Sequence, residues 1–261
     1  LYYLELRASL DTMNVDWLME AGKFSFEYIA DYEKAMKYFE DVLSNAIVQY
    51  GEISCEVSYI YNKMGSIYSE LSEYDVAMNF YNKALDILES IYGTKSMECA
   101  TIFSNIGILY RYLDNFEKAL EYYYLSLELK INNHEKSTCY YNIASTYTKL
   151  SDYENAKKYY DKLLESLDEM DKLSCSSYYI GVADFYSILG NKGDALHYFN
   201  KSMALLEELG LERHPRMARV YNEIAGLYFS YGDYDLSLEY YNKSITILKE
   251  IYGTYHPTVA V

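Results

Sequence analysis

The sequence is short of residues that interrupt helices and of those that build catalytic or cofactor sites. It has two prolines in 261 residues, Pro215 and Pro257. Proline is the residue a helix interior tolerates least, so nearly the whole chain is free to be helical. The four histidines, His134, His197, His214 and His256, are scattered. The two that precede prolines read as turn residues, and none has the spacing of a metal or catalytic set. Cys55, Cys99, Cys139 and Cys175 are far apart with no CxxC, which excludes a zinc-ligand pattern and predicts small buried thiols in a reducing compartment. No GxxxxGK[ST], GxGxxG, GxSxG or HExxH occurs, so phosphate cradles, nucleophile elbows and zincin sites have no starting point. No enzyme activity and no cofactor are expected. No apolar run approaches the ~20 residues that span a bilayer, and no signal-peptide pattern opens the chain. The expectation is a cytoplasmic protein with no membrane insertion. Basic residues are scarce, 23 against 39 acidic for a net charge of -16, a field that repels phosphate backbones and argues against nucleic acid as a partner. Leu1 is not a methionine and Val261 falls at what reads as the entry to another helix, so a fragment is expected.

What is abundant is tyrosine, 35 residues of it. A phenol ring with one wet end suits many positions that are half inside a core, and repetition follows as a hypothesis. The segments Tyr61 to Tyr68, Phe103 to Tyr110, Tyr140 to Tyr147, Tyr179 to Tyr186 and Tyr221 to Tyr228 align without gaps. Each opens on an aromatic and closes on a tyrosine, with a small residue between (Gly65, Gly107, Ala144, Ala183, Ala225), which is one stripe of a 3.6-residue helix. A second helix follows, marked by Ala77 and Tyr81, Ala119 and Tyr123, Ala156 and Tyr160, Ala195 and Phe199, and Ser237 and Tyr241. The turns between carry Glu73-Tyr74, Asn115-Phe116, Asp152-Tyr153 and Asp233-Tyr234, where Asp or Asn can cap the incoming helix. The fifth copy has Lys192 in the aromatic slot with Gly190 and Gly193 beside it, which predicts a looser turn. An earlier, degenerate copy keeps Ala35 and Phe39 but offers Lys23 where a small residue belongs. Small residues on both helices allow close approach, and because one hairpin cannot bury its stripe alone, stacking is required.

Between small positions the steps are 42, 37, 39 and 42 residues, longer than the usual 34 of the tetratricopeptide repeat. The extra length falls in the second helix and its exit, where Ile91-Tyr-Gly-Thr and Ile251-Tyr-Gly-Thr recur and Gly93, Gly210 and Gly253 are placed as C-caps. With His214-Pro215-Arg-Met-Ala and His256-Pro257-Thr-Val-Ala at repeat entries, the pattern resembles long tetratricopeptide repeats of the kinesin-light-chain type. The resemblance implies an all-α, right-handed α-α superhelix, a solenoid of about six helical hairpins plus a terminal helix. Its segments would be a capping or preceding-repeat helix over 1–15, repeats over 16–57, 58–99, 100–136, 137–175, 176–217 and 218–257, and the start of a further helix at 258–261.

In such an array the outer stripe of each first helix lines a concave groove, which here would hold Asn62, Lys63 and Ser66, then Asn105 and Arg111, then Tyr141, Asn142, Ser145 and Lys149, then Arg219 and Asn222. An amide donates and accepts at once, matching the two groups of an extended peptide backbone, and the few cations would favour acidic side chains. The two-carboxylate clamp of chaperone-binding repeats is not reproduced. The resemblance implies a non-catalytic scaffold that binds an extended segment of a protein or peptide partner. Alternatives are a peptide-sensing regulatory module, or the recognition module of a larger protease or ATPase whose catalytic part lies outside this chain.

Overall fold

The computed structural model describes residues 6–7, 11, 13–26, 31–93, 96–130, 133–167 and 170–252. Among them are twelve α-helices and no strand: α1 (Val15–Phe24), α2 (Tyr32–Tyr50), α3 (Cys55–Glu70), α4 (Tyr74–Tyr92), α5 (Ala100–Tyr112), α6 (Phe116–Leu129), α7 (Asn133–Lys149), α8 (Tyr153–Glu165), α9 (Lys172–Ile188), α10 (Lys192–Glu208), α11 (Pro215–Ser230) and α12 (Tyr234–Tyr252). The chain divides into two compact units, residues 1–142 and 143–261, with the boundary inside α7. In unit 1, α1 pairs with α2, α3 with α4 and α5 with α6; in unit 2, α9 pairs with α10 and α11 with α12. Odd-numbered helices lead each hairpin and even-numbered ones trail. The expected all-α stack of hairpins is what forms. The expected C-cap Gly253 and helix start at 258–261 lie outside the described residues, as does most of the segment 1–15.

From the second hairpin to the sixth, the turn is fixed by one left-handed residue: Ser72, Asp114, Ser151, Gly190 or Gly232, with φ of 62°, 54°, 59°, 72° and 79°. The next amide then bonds the carbonyl of the leading helix's closing tyrosine, as in Asn115 to Tyr110 and Asn191 to Tyr186, both 2.9 Å. Asp31, Asn115, Asp152 and Asn191 accept a backbone N–H of the first turn, as expected for caps, while Glu73 makes no such bond. The fifth turn is therefore no looser than the rest. Gly190 takes the left-handed conformation more easily than serine or aspartate does. Lys192 lays its ammonium over Tyr228 (4.6 Å) and Tyr231 (5.0 Å) and pairs with Asp233. In the second hairpin the same slot holds Tyr74, which stacks on Tyr112 of the next one.

Close approach of the paired helices is enforced where sequence spacing placed it. A Cβ added to Gly65 would lie 2.7 Å from the Tyr81 ring, and one added to Gly107 would lie 2.6 Å from Tyr123. Both rings are almost wholly buried, and burial pushes each phenol up to about 12. The first hairpin corrects the expected register. Gly22, not Lys23, is its small residue: a Cβ added there would lie 3.3 Å from Phe39 and Tyr38. Gly22 lies 17 residues before Phe39 where the other copies have 16, and a wider π turn at Ser25–Phe26 follows it.

The closing tyrosines are half-buried and stacked. Tyr68, Tyr110, Tyr147, Tyr186 and Tyr228 lie on Phe80, Tyr122, Tyr159, Tyr198 and Tyr240, at 5.4 to 6.1 Å and 6° to 18° between planes. Tyr61, Phe103, Tyr179 and Tyr221 approach the same trailing-helix ring from its other end, at 5.9 to 6.1 Å. Lys83, Lys162, Lys201 and Lys243 lie over the stacks, all within 5.5 Å of the trailing ring. Cys99, Cys139 and Cys175 are buried as expected; Cys55, at the start of α3, is exposed.

Two glycines make the packing testable. Glycine costs a helix about 1 kcal/mol relative to alanine, and an overpacked core costs roughly 1–3 kcal/mol. Gly107→Ala meets a ring with no room to move and is expected to lose about 1 kcal/mol or more net. Gly226→Ala, whose Cβ meets nothing nearer than the Tyr241 hydroxyl at 4.0 Å, is expected to gain up to about 1 kcal/mol. Urea unfolding of both decides it, and equal stabilisation would remove the close approach at Gly107. For the stacks, a double-mutant cycle of Tyr186→Leu and Tyr198→Leu should yield a coupling of about 0.5–1.5 kcal/mol, and additive losses would show that the rings pack without mutual preference.

Candidate functional site

In unit 1 the outer stripe of the leading helices brings part of the expected site together. Asn105 on α5 donates from Nδ2 to Asn62 Oδ1 on α3 at 2.8 Å, joining two successive hairpins by their side-chain amides. Asn62 is buried and Asn105 half-buried. One turn from Asn62, Ser66 donates to the Asn62 carbonyl at 3.1 Å and accepts from the Tyr81 hydroxyl at 3.3 Å, so its hydroxyl serves the scaffold. Lys63 holds its Nζ 5.6 Å from the Tyr59 ring centroid, and Lys23 reaches the same ring at 4.8 Å. The one-residue register shift in α1 makes this possible, because Lys23 follows the packed glycine and so falls on the outer stripe.

Arg111 is half-buried near the end of α5, with its guanidinium 5.6 Å from the Tyr112 ring, and its charge opposes the upward shift of Tyr123. Tyr141 is half-buried and Asn142 buried at the close of unit 1. Ser145 and Lys149 belong to unit 2, half-buried and exposed respectively, and Arg219 and Asn222 are both exposed on α11. Asn62, Lys63, Ser66 and Asn105 thus form one neighbourhood, which Lys23 and Tyr59 join.

Unit 2 holds a feature that the expected site omits. A groove of about 330 Å³ opens between α9 and α11, lined by Asp184, Glu223, Ile188, Phe199, Gly226 and Leu227 among others. Burial, with the Glu223 charge in second place, raises the Asp184 carboxyl to about 7; Arg219 works against it. The signal was present in the sequence. Asp184 directly follows the small position of its helix, where the other copies have Ser66, Ile108, Ser145 and Gly226. One acid at a repeat position that elsewhere holds Lys23 or an uncharged residue is the mark that spacing alone passed over. No group of three His, Cys, Asp or Glu side chains gathers as for a metal among the described residues, and no helix among them is long and apolar enough to cross a membrane.

Solved structures share this architecture. RapI in its apo form superimposes with a TM-score of 0.66 at 20% identity, covering 91% of this chain and 84% of that one. A kinesin light chain with nearly identical repeats from Podosopora anserina gives 0.59 at 12%, covering 74% and 95%. Aspartyl phosphate phosphatase F from Bacillus subtilis gives 0.63 at 16%, covering 92% and 71%. Identity at these levels carries the fold and no activity. No curated protein matches the sequence. The sequence profile of the tetratricopeptide repeat matches residues 56–132, 135–208 and 173–250. Packed glycines under buried rings, repeated caps and that match agree: the chain belongs to the tetratricopeptide repeat family.

Proposed function

We propose that this chain is a non-catalytic protein-interaction scaffold that receives an extended peptide segment on the outer stripe of its leading helices. The observation that carries the reading is the Asn62–Asn105 amide pair. Each side-chain amide has two N–H donors and one carbonyl acceptor. The single bond between them uses one N–H of Asn105 and an acceptor of Asn62, so further donors and the Asn105 carbonyl remain, the complement of a peptide unit. Two amides held by each other lose less freedom on binding than two independent ones, which favours affinity through pre-organisation. Tyr59, with Lys23 and Lys63 over it, supplies a ring and positive charge beside them. These features suit an acidic or polar neighbour in the ligand.

Backbone recognition supplies grip with little choice of sequence, and side-chain subsites beside it supply the choice. A binder selected by peptide array against the full chain should lose roughly 30-fold or more in affinity to Asn62→Ala plus Asn105→Ala, since each of the two amide partners left unpaired costs about 1–3 kcal/mol. The control is Glu165→Ala plus Glu207→Ala, both exposed on trailing helices, and it should bind as the unaltered chain does. Fluorescence anisotropy of the labelled peptide measures both. Equal affinity in the asparagine variant, with its thermal melt unchanged, would move the binding surface elsewhere.

A further inference from the structure

We propose that the groove between α9 and α11 receives a basic side chain, lysine or arginine, of the bound polypeptide, with Asp184 and Glu223 as its counter-ions. This rests on the peptide-scaffold reading and adds to it the chemistry of one ligand residue. Four features of the groove lead there. Its lining sets Ile188, Phe199 and Leu227 beside Ser187, Ser230 and the two acids, so an aliphatic stem can lie on the apolar part while its charged head reaches polar groups. Its volume of about 330 Å³ falls within the roughly 300–1,000 Å³ of ligand pockets. Asp184 makes no hydrogen bond or ion pair among the described residues, although it is half-buried. The charge acting on it from α11 is Glu223 of the same sign, with Arg219 as the opposing cation.

Gly226 is the independent mark. Gly65 and Gly107 are glycine because a Cβ would strike a buried ring at 2.7 or 2.6 Å. Gly226 also lies inside a helix, yet a Cβ there would meet nothing nearer than 4.0 Å. Its missing side chain costs helix propensity without serving the packing of the hairpin. What the absence does is leave the groove open. Neighbouring like charges and burial both disfavour ionised carboxylates, and an incoming ammonium or guanidinium reverses that preference. On binding, the Asp184 carboxylic acid ionises, its proton passes to buffer, and the carboxylate pairs with the cation. Two carboxylates without a third ligand of the usual kinds suit an organic cation better than a metal ion.

The test uses the full chain and N-acetyl-Gly-X-Gly-amide probes, with X as arginine, lysine, norleucine or glutamate, titrated by NMR. Arginine and lysine probes are expected to shift resonances around Asp184 and Gly226, the comparison of the two ranking guanidinium against ammonium. Asp184→Asn plus Glu223→Gln should weaken them at least tenfold, and Gly226→Leu, which fills open space, should abolish binding while the protein stays folded. Affinity should rise roughly tenfold from pH 6 to pH 8, following ionisation of a group that titrates near 7. The folded-state value lies above the unfolded one, so Asp184 costs the unliganded fold stability as pH rises from about 4 through 7. Asp184→Asn should therefore melt higher than the unaltered chain at pH 8. Equal binding of the norleucine or glutamate probe, or unchanged affinity in the double variant, overturns the assignment. The Asn62→Ala plus Asn105→Ala variant should bind the arginine probe normally. If it loses the long array peptide while no probe prefers a basic residue, the scaffold reading stands and this groove assignment falls.

Discussion

The structure depends on one contact repeated down the chain, a trailing-helix ring pressed onto the bare backbone of the leading helix. At Gly65 and Gly107 there is no room even for a methyl group beneath Tyr81 and Tyr123. In the later repeats alanine takes the place of glycine, at Ala144, Ala183 and Ala225, with Tyr160, Phe199 and Tyr241 in the aromatic position. Helices held this close bring their flanks together as well, and the tyrosine stacks line those flanks. A stack of two rings at 5.4 Å exists because the backbones are already near. The stacks add preference to an approach that burial has driven, each pair contributing about 0.5–1.5 kcal/mol beyond its area.

The abundance of tyrosine follows from this geometry. A ring in a stack is half-buried, so its hydroxyl reaches water while its faces do not, and phenylalanine would leave an apolar edge exposed in copy after copy. The lysines above the rings use the same faces. Lys83, Lys162, Lys201 and Lys243 place charge over π systems, and their methylene stems shield the stack from solvent. That also explains where a strongly acidic chain spends several of its few cations: on its own aromatic columns rather than on the outer stripe.

Whatever recurs locally was legible in the sequence. Small residue, aromatic and cap stand at fixed separations, so Gly65, Ala144 and Asp152 could be placed by counting. Three things could not. The trailing-helix partners Phe80, Tyr122, Tyr159, Tyr198 and Tyr240 adjoin the buried aromatics, and along the chain nothing distinguishes a ring that packs from one that stacks. Gly22 was displaced by one because a π turn absorbs a residue after it, and spacing cannot see backbone geometry. Asp184 stood out as an acid at its repeat position, but its setting beside Glu223 depended on which residue of the next hairpin faced it. Glu223 lies thirty-nine positions away, a distance over which charge patterning carries no signal until the fold brings α9 beside α11.

The two units use the same stripe for opposite electrostatics. In unit 1 it carries amides, a ring and lysines, in a chain whose net charge is -16; in unit 2 it encloses a carboxylate that burial holds near neutrality. The outer stripe takes no part in the ring-on-backbone contact, so it is the part of each repeat free to diverge. The inner stripe cannot, since a single added carbon at Gly107 meets a ring. Divergence on one face and constraint on the other is how a repeat built from one contact presents different chemistry in each copy. The exceptions mark where that division is tightest: Ser66 lies on the outer stripe but is committed to Asn62 and Tyr81, while Gly226, one residue from the packed Ala225, is committed to neither partner helix nor ring.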